Sequence, residues 1–144
     1  MKFLVCTDGS EQSQKALEKA VLLAGGCNAE EVAVINVYEE RPYIEAYSRQ
    51  GIERQVEIKE EEKKQREKIL KDASAFLEGK GIKARTIFKE GQPAETIVEV
   101  GCGEGFDFIV IGSRGLGGLK KALLGSVSNA VVQQADKCSV VVVR

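Results

Sequence analysis

Histidine is absent from the 144 residues. That excludes Ser/His/Asp and Cys/His catalysis, the commonest general base near neutral pH, and most zinc sites. Proline occurs only twice, at Pro42 and Pro93, too rarely for a collagen-like or disordered chain. The four cysteines, Cys6, Cys27, Cys102 and Cys138, contain no Cys-x-x-Cys pair. A tetrathiolate zinc site shows paired short spacings, and a dithiol redox centre needs neighbouring thiols. Asp8 interrupts the opening apolar run too early for a signal peptide. The expectation is therefore a cytoplasmic, reducing compartment and four free thiols that pack as small apolar residues. No apolar run exceeds five residues, against roughly 20 for a membrane span. Lys and Arg number 21 and Asp and Glu 22, a net charge of -1, so no global field recruits nucleic acid or an anionic membrane.

What is present is the composition of one soluble domain, 43% hydrophobic and 30% charged, expected to span residues 1–144. Short β-branched runs alternate with helical stretches. Residues 2–7 read as a strand buried on both faces. Ser10 caps a helix with Ala16, Leu17, Ala20, Val21 and Ala24 on one face, stopped by Gly25-Gly26. Residues 31–38 form a second strand. A long helix covers 52–78; nine of its ten middle residues, 59–68, are charged, which reads as a solvated face. Only Ile69, Leu70, Ala73, Phe76 and Leu77 need lie on the sheet. At 1.5 Å per residue this helix is roughly 40 Å long, so it overhangs a strand of about 20 Å. Residues 83–88 form a third strand. Pro93 opens a helix carrying Ala94, Ile97, Val98 and Val100, ended by Gly101, Gly103 and Gly105. Residues 106–111 form a fourth strand and 112–124 a glycine-rich loop. Ser126 caps a helix with Val127, Ala130, Val131 and Ala135 inward, and 139–143 form the last strand. Strict βαβαβαβαβ alternation predicts an α/β fold: a parallel sheet with right-handed crossovers and helices on both faces.

Ligands in such a sheet bind outside the carboxyl ends of the strands, where strand order reverses. The candidates are Thr7-Asp8-Gly9-Ser10, Val37-Tyr38-Glu39, Lys89-Glu90-Gly91 and Gly112-Ser113-Arg114-Gly115. The segment from Gly112 to Ser128 carries most information. Its glycines let successive N–H groups converge on an anion, and Gly125-Ser126-Val127-Ser128 opens a helix whose free N–H groups and dipole favour phosphate. Ser126 and Ser128 add hydroxyls, and Lys120 and Lys121 lie nearby in sequence. No G-x-x-x-x-G-K-[ST] string occurs, and the first strand does not lead into G-x-G-x-x-G.

The spacing G-x2-G-x9-G-[ST], met by Gly112, Gly115, Gly125 and Ser126, resembles the ATP-binding branch of the universal stress protein family. The resemblance runs the whole length, from Thr7-Asp8 to the terminal Ser-Val-Val-Val-Val-Arg. It implies a flavodoxin-like sheet of order 3-2-1-4-5 and a homodimer. It also implies that Asp8, with Thr7 beside it, meets the adenosine end of the nucleotide. The Val37 backbone would pair with the adenine edge, Ile111 would flank the base, and Gly112 would approach the ribose. Gly115, Gly125, Ser126, Val127 and Ser128 would wrap the phosphates. Two positions depart from the pattern of many relatives: Cys6 replaces a Pro, and Arg114 replaces a His, placing a permanent cation near the phosphates. The implied cofactor is ATP or another adenine nucleotide, with Mg2+ or Mn2+ bridging the phosphates.

Hydrolysis needs a positioned water at the γ-phosphate. Asp8 is the carboxylate anchored on that side, and the resemblance turns it toward the nucleoside; Glu39, Glu40 and Glu90 are unanchored. The reading is a nucleotide-binding regulatory protein of stress-response type with slow or no hydrolysis. The alternative is a slow metal-dependent ATPase or nucleotide-dependent transferase. A phospho-acceptor receiver is disfavoured, because the third strand ends in Phe88-Lys89-Glu90 and the fifth in Arg144. Residues 42–50, with Tyr43 and Tyr47, are expected to act as a nucleotide-dependent flap. Val140, Val141, Val142 and Val143 would be an aggregation-prone edge, and pairing this strand across a two-fold axis supplies the homodimer.

Overall fold

In the computed structural model, residues 1–39, 48–114 and 124–144 are described. Their elements are β1 (Lys2–Cys6), α1 (Glu11–Gly26), β2 (Glu31–Tyr38), α2 (Arg49–Glu78), β3 (Ala84–Glu90), α3 (Pro93–Gly103), β4 (Phe108–Gly112), α4 (Ser126–Gln134) and β5 (Ser139–Val143). The strands form one sheet of order β3-β2-β1-β4-β5, every pair parallel. This is the order that the resemblance implies. No described helix is long and apolar enough to cross a membrane.

The period-two alternation of each strand divides the core into two layers. Phe3, Val5, Val32, Val34 and Val110 face α1 and α2, meeting Ala16, Leu17, Ala20, Leu70, Ala73 and Leu77. Leu4, Cys6, Ala33, Ile35, Ile109 and Ile111 face α3 and α4, meeting Ile97, Val100 and Val131. Each fully buried Leu, Ile or Phe contributes about 1.5–3 kcal/mol. The alanines of α1 contribute less, but they let that helix sit close to the sheet.

Ser10 caps α1 as expected, accepting from Ser13 N–H at 3.1 Å. The helix ends at the glycine pair, Gly26 being its last residue, and Cys27 N–H donates to Leu23 O at 3.0 Å. The chain turns at Asn28, with φ of 48°, a left-handed conformation that Asn tolerates. α2 begins at Arg49, earlier than expected, because Ser48 accepts from Gly51 N–H at 3.1 Å.

The charged middle of α2 is not wholly a solvated face. Tyr38 donates its hydroxyl to Glu62 at 2.8 Å, and Lys63 pairs with Glu90 at 2.6 Å. Tyr38 reaches the helix from the end of β2, and Glu90 does so because β3 continues to it instead of ending at Phe88. The expected flap falls mainly on residues 40–47, outside the described residues.

The expectation of four free thiols is overturned, because Cys102 and Cys138 form a disulfide with Cα atoms 5.4 Å apart. One lies at the end of α3 and the other just before β5, so both sit at the amino edge of neighbouring strands. A sequence separation of 36 hides that proximity. Cys6 and Cys27 remain thiols, the first buried and the second exposed. Burial, then the charge of Asp8, push the Cys6 thiol far up, leaving it inert.

At the amino end of β2, on the same edge of the sheet, Glu31 bridges Lys2 at 3.2 Å and Arg85 at 3.0 Å, and Arg85 also reaches Glu104 at 2.8 Å. Partial burial pushes the Glu31 carboxyl up, but the hydrogen bonds and charges of Lys2 and Arg85 outweigh it and hold the group below its usual range. An acid depressed in the folded state stabilises above its unfolded pKa and loses that contribution as pH falls through the folded one. Glu31→Gln should therefore cost under about 1 kcal/mol at pH 7. The difference from the parent should begin to shrink as pH falls below about 4.3, the ordinary Glu value, and disappear once pH is under the lower folded one, measured by urea midpoints across pH.

Candidate functional site

Strand order reverses beside β1: its neighbours are β2 and β4, and the chain leaves β1 for α1 on one face and β4 for α4 on the other. The crevice between the carboxyl ends of β1 and β4 is where an α/β sheet presents backbone to a ligand.

Thr7 prolongs β1 by one rung, its N–H donating to Ile35 O at 3.0 Å. Its hydroxyl lies 3.3 Å from that of Ser13 in α1, and its carbonyl accepts from Asn36 Nδ2 at 2.7 Å. Thr7 thus serves the turn, and Asp8 is the residue half-exposed at its apex. One Asp8 oxygen accepts from Ser10 N–H at 2.9 Å, so the carboxylate also holds the entry to α1. At Gly9 φ is 80°, and a Cβ would stand 3.0 Å from Ile69 Cδ1 of α2.

Val37 lies where β2 outruns β1. The Ile35 carbonyl points toward β1 and accepts from Thr7, whereas the Tyr38 carbonyl points toward β3 and accepts from Gly91 at 3.0 Å. The same alternation turns the N–H and C=O of Val37 to the β1 side, past the end of that strand. A donor and acceptor side by side on one strand can match a heterocycle edge.

On the other wall, Ile111 is buried against the α3 and α4 layer. Gly112 is needed for a reason the motif does not reveal: a Cβ there would stand 2.8 Å from the Gln12 backbone of α1. The small-residue face of α1 brings its first turn against β4, and only glycine fits between them.

Ser113 forms a neck. Its N–H donates to Val143 O at 2.6 Å, and its carbonyl accepts from Gly125 N–H at 2.7 Å. That carbonyl also lies 2.9 Å from Ser128 Oγ, which lies 3.0 Å from Gly125 O. The single hydroxyl proton of Ser128 therefore goes to main-chain carbonyls, and Ser128, only 2% exposed, holds the two ends of the glycine-rich segment together. Arg114 leaves the neck half-buried. Gly115, Lys120 and Lys121 lie outside the described residues.

Ser126 is not the cap of α4. Gly125 is, and it supplies no side-chain bond, leaving Ser126 exposed at the first helical position. No acidic residue stands in the first turn, and among the described residues nothing accepts from the N–H groups of Ser126, Val127 and Ser128. α1, by contrast, has both a serine cap and Glu11. An uncapped, acid-free helix start directed to the carboxyl edge is a place for an anion.

Sequence reasoning missed Asn36 and Gln12. Asn36 is 1% exposed; its amide ties β2 to the Thr7 turn while its Oδ1, like Oε1 of Gln12, is buried without a partner among the described residues. One signal was available: an amide inside the apolar run that ends at Tyr38. Among the described residues no group of three Cys, Asp or Glu side chains is placed to hold a metal ion. A groove of about 510 Å3 between α2 and β3, lined by Leu70, Ser74, Thr86 and Phe88 among others, contains none of the motif residues.

The family model described as "Universal stress protein family" matches residues 1–144. The chain belongs to the universal stress protein family. Universal stress protein YxiE of Bacillus subtilis is 41% identical over 148 aligned positions, covering 99% of this chain and 98% of that protein. Universal stress protein MJ0577 of Methanocaldococcus jannaschii is 35% identical, over 99% of this chain and 94% of its own. The solved structure of MJ0577 matches with a TM-score of 0.74 over the same shares. At the level of the fold alone, the universal stress protein of Archaeoglobus fulgidus in complex with dAMP matches with a TM-score of 0.66. It is 21% identical, over 100% of this chain and 98% of that one. Family membership thus agrees with the sheet order and with the motif that places Gly112, Gly125 and Ser126 on this edge.

Proposed function

We propose that this chain is an ATP-binding regulatory protein of stress-response type that holds adenine nucleotide at the carboxyl edge of its sheet. The observation that carries the reading is the start of α4, an uncapped and acid-free set of N–H groups beside Arg114. It springs from the Ser113–Gly125 neck at the point of strand reversal. The outward N–H and C=O of Val37 suit an adenine edge, and Asp8 stands between the two as a partner for ribose hydroxyls or the exocyclic amine. The dAMP complex of a family member with this fold supports the class of ligand.

In this reading Ile111 flanks the base, Gly115, Gly125, Ser126 and Val127 surround the phosphates, and Ser128 supports them through the neck. Mg2+ or Mn2+ is held mainly through the phosphates, consistent with the lack of a dense carboxylate cluster among the described residues. Hydrolysis is slow or absent, because Asp8 already accepts from Ser10 N–H and, among the described residues, no other carboxylate is anchored beside the phosphate end. The whole of 1–144 acts as one nucleotide-binding unit in the cytoplasm, and two chains pair through β5, whose Val140, Val141 and Val142 are only partly covered.

Denaturing the purified protein and chromatographing what it releases tests this. An adenine nucleotide, at up to one per chain, is expected. Gly115→Val, with a branched side chain in the phosphate's place, should release none while remaining folded. Release of no nucleotide, together with no uptake of added ATP, would overturn the proposal.

A further inference from the structure

We propose that Cys102 and Cys138 are a reversible thiol–disulfide couple, opened by low-molecular-weight thiols, that tethers the end of α3 to the entry of β5. The inference does not depend on the nucleotide reading.

Three features of this edge carry it. First, the two residues are partly exposed, and their neighbours Gly103, Glu104, Asp136 and Lys137 are exposed. A small thiol can therefore reach the bond without unfolding the chain. Second, the surroundings do not rely on the bond for their position. Phe106 N–H donates to Gly101 O at 2.9 Å, and Ser139 N–H donates to Asp107 O at 2.9 Å. These bonds anchor the chain on both sides of the cysteines, so the reduced pair stays near its bonding distance and can close again. Third, no other thiol competes: Cys6 is buried and Cys27 closes α1, on the opposite face of the sheet.

The chemistry balances without a cofactor. On opening, a small-molecule thiolate attacks one sulfur, the S–S bond breaks, and the other cysteine leaves as a thiolate that takes up a proton. A second small thiol then cleaves the mixed disulfide, so two small thiols become one small disulfide and the protein gains two thiols. Closure is the reverse, with a low-molecular-weight disulfide as the oxidant that accepts the two electrons.

The consequence falls on the half of the molecule that carries the glycine motif. A bridge with a sequence separation of 36 encloses β4, the glycine-rich segment and α4, and restricts the unfolded chain accordingly. Its opening should lower the melting temperature by roughly 10 °C.

The test uses the whole chain after incubation with oxidised dithiothreitol, then with reduced dithiothreitol. Thiol titration in denaturant should find two thiols in the first state and four in the second. Circular dichroism should be unchanged and the melting temperature lower in the second, and re-oxidation should restore the first. Cys102→Ser and Cys138→Ser should melt at the lower temperature in both states, whereas Cys27→Ser should keep the full response. Four thiols after oxidative incubation, or a bond that opens only in denaturant, would overturn the proposal.

Discussion

Gly112→Val is expected to destabilise the fold by about 3 kcal/mol, read as a lower urea midpoint at unchanged slope. The added Cβ would stand 2.8 Å from both the carbonyl carbon and oxygen of Gln12, and backbone cannot swing aside as a side-chain tip can. Either the first turn of α1 retreats from β4 or β4 shifts in the sheet, and both loosen the close-packed layer of Ala16, Leu17 and Ala20. Gly112→Ala should move the same way by a smaller amount. Gly101 is a second such position: a Cβ there would stand 2.6 and 2.8 Å from Cδ1 and Cγ1 of Ile109, which is itself fully buried, so alanine there should also destabilise the fold. A stable Gly112→Ala protein that had lost only nucleotide binding would show that ribose contact, not helix approach, demands this glycine.

Ser126→Asp should separate stability from binding by moving them in opposite directions. A carboxylate in the first turn of α4, which has no acidic residue, complements the helix dipole and should stabilise by about 0.3–1 kcal/mol. The same charge would stand where a triphosphate is proposed to sit. Even with solvent screening, repulsion by several phosphate charges should weaken ATP binding roughly 30-fold or more. The checks are a melting curve without ligand and a titration with it. Tighter or unchanged ATP binding in this variant would place the phosphates elsewhere.

Much of the architecture was readable because it rests on local patterns. β1, β2, β4 and β5 are short apolar runs, α1 shows its inner face at spacings of three and four, and Ser10 announces its start. The errors lie where distant contacts decide. β3 gains two residues by pairing Lys89 and Glu90 with Val37 and Tyr38, which no local signal in this polar segment reveals. The disulfide joins residues brought together only by the adjacency of β4 and β5.

The candidate site divides in the same way. The motif points to a backbone-rich edge because the spacing of Gly112, Gly125 and Ser126 reports a strand, a loop and a helix start. It says nothing of why Gly112 is glycine, since the Gln12 backbone belongs to another element. Nor does it reveal that the Ser128 hydroxyl turns inward to the Ser113 and Gly125 carbonyls, or that Gly125 rather than Ser126 caps α4. Asn36 escaped notice because its role, securing the Thr7 turn, appears only once β1 and β2 are paired.

Calorimetric titration of the intact chain with ATP and magnesium bears most directly on the start of α4 as a nucleotide site. Saturable heat, with a stoichiometry of one per chain, is predicted. At ligand concentrations about 100 times the dissociation constant, stability should rise by about 2.7 kcal/mol. No heat and no rise in melting temperature, with the circular dichroism of an intact α/β fold, would contradict it.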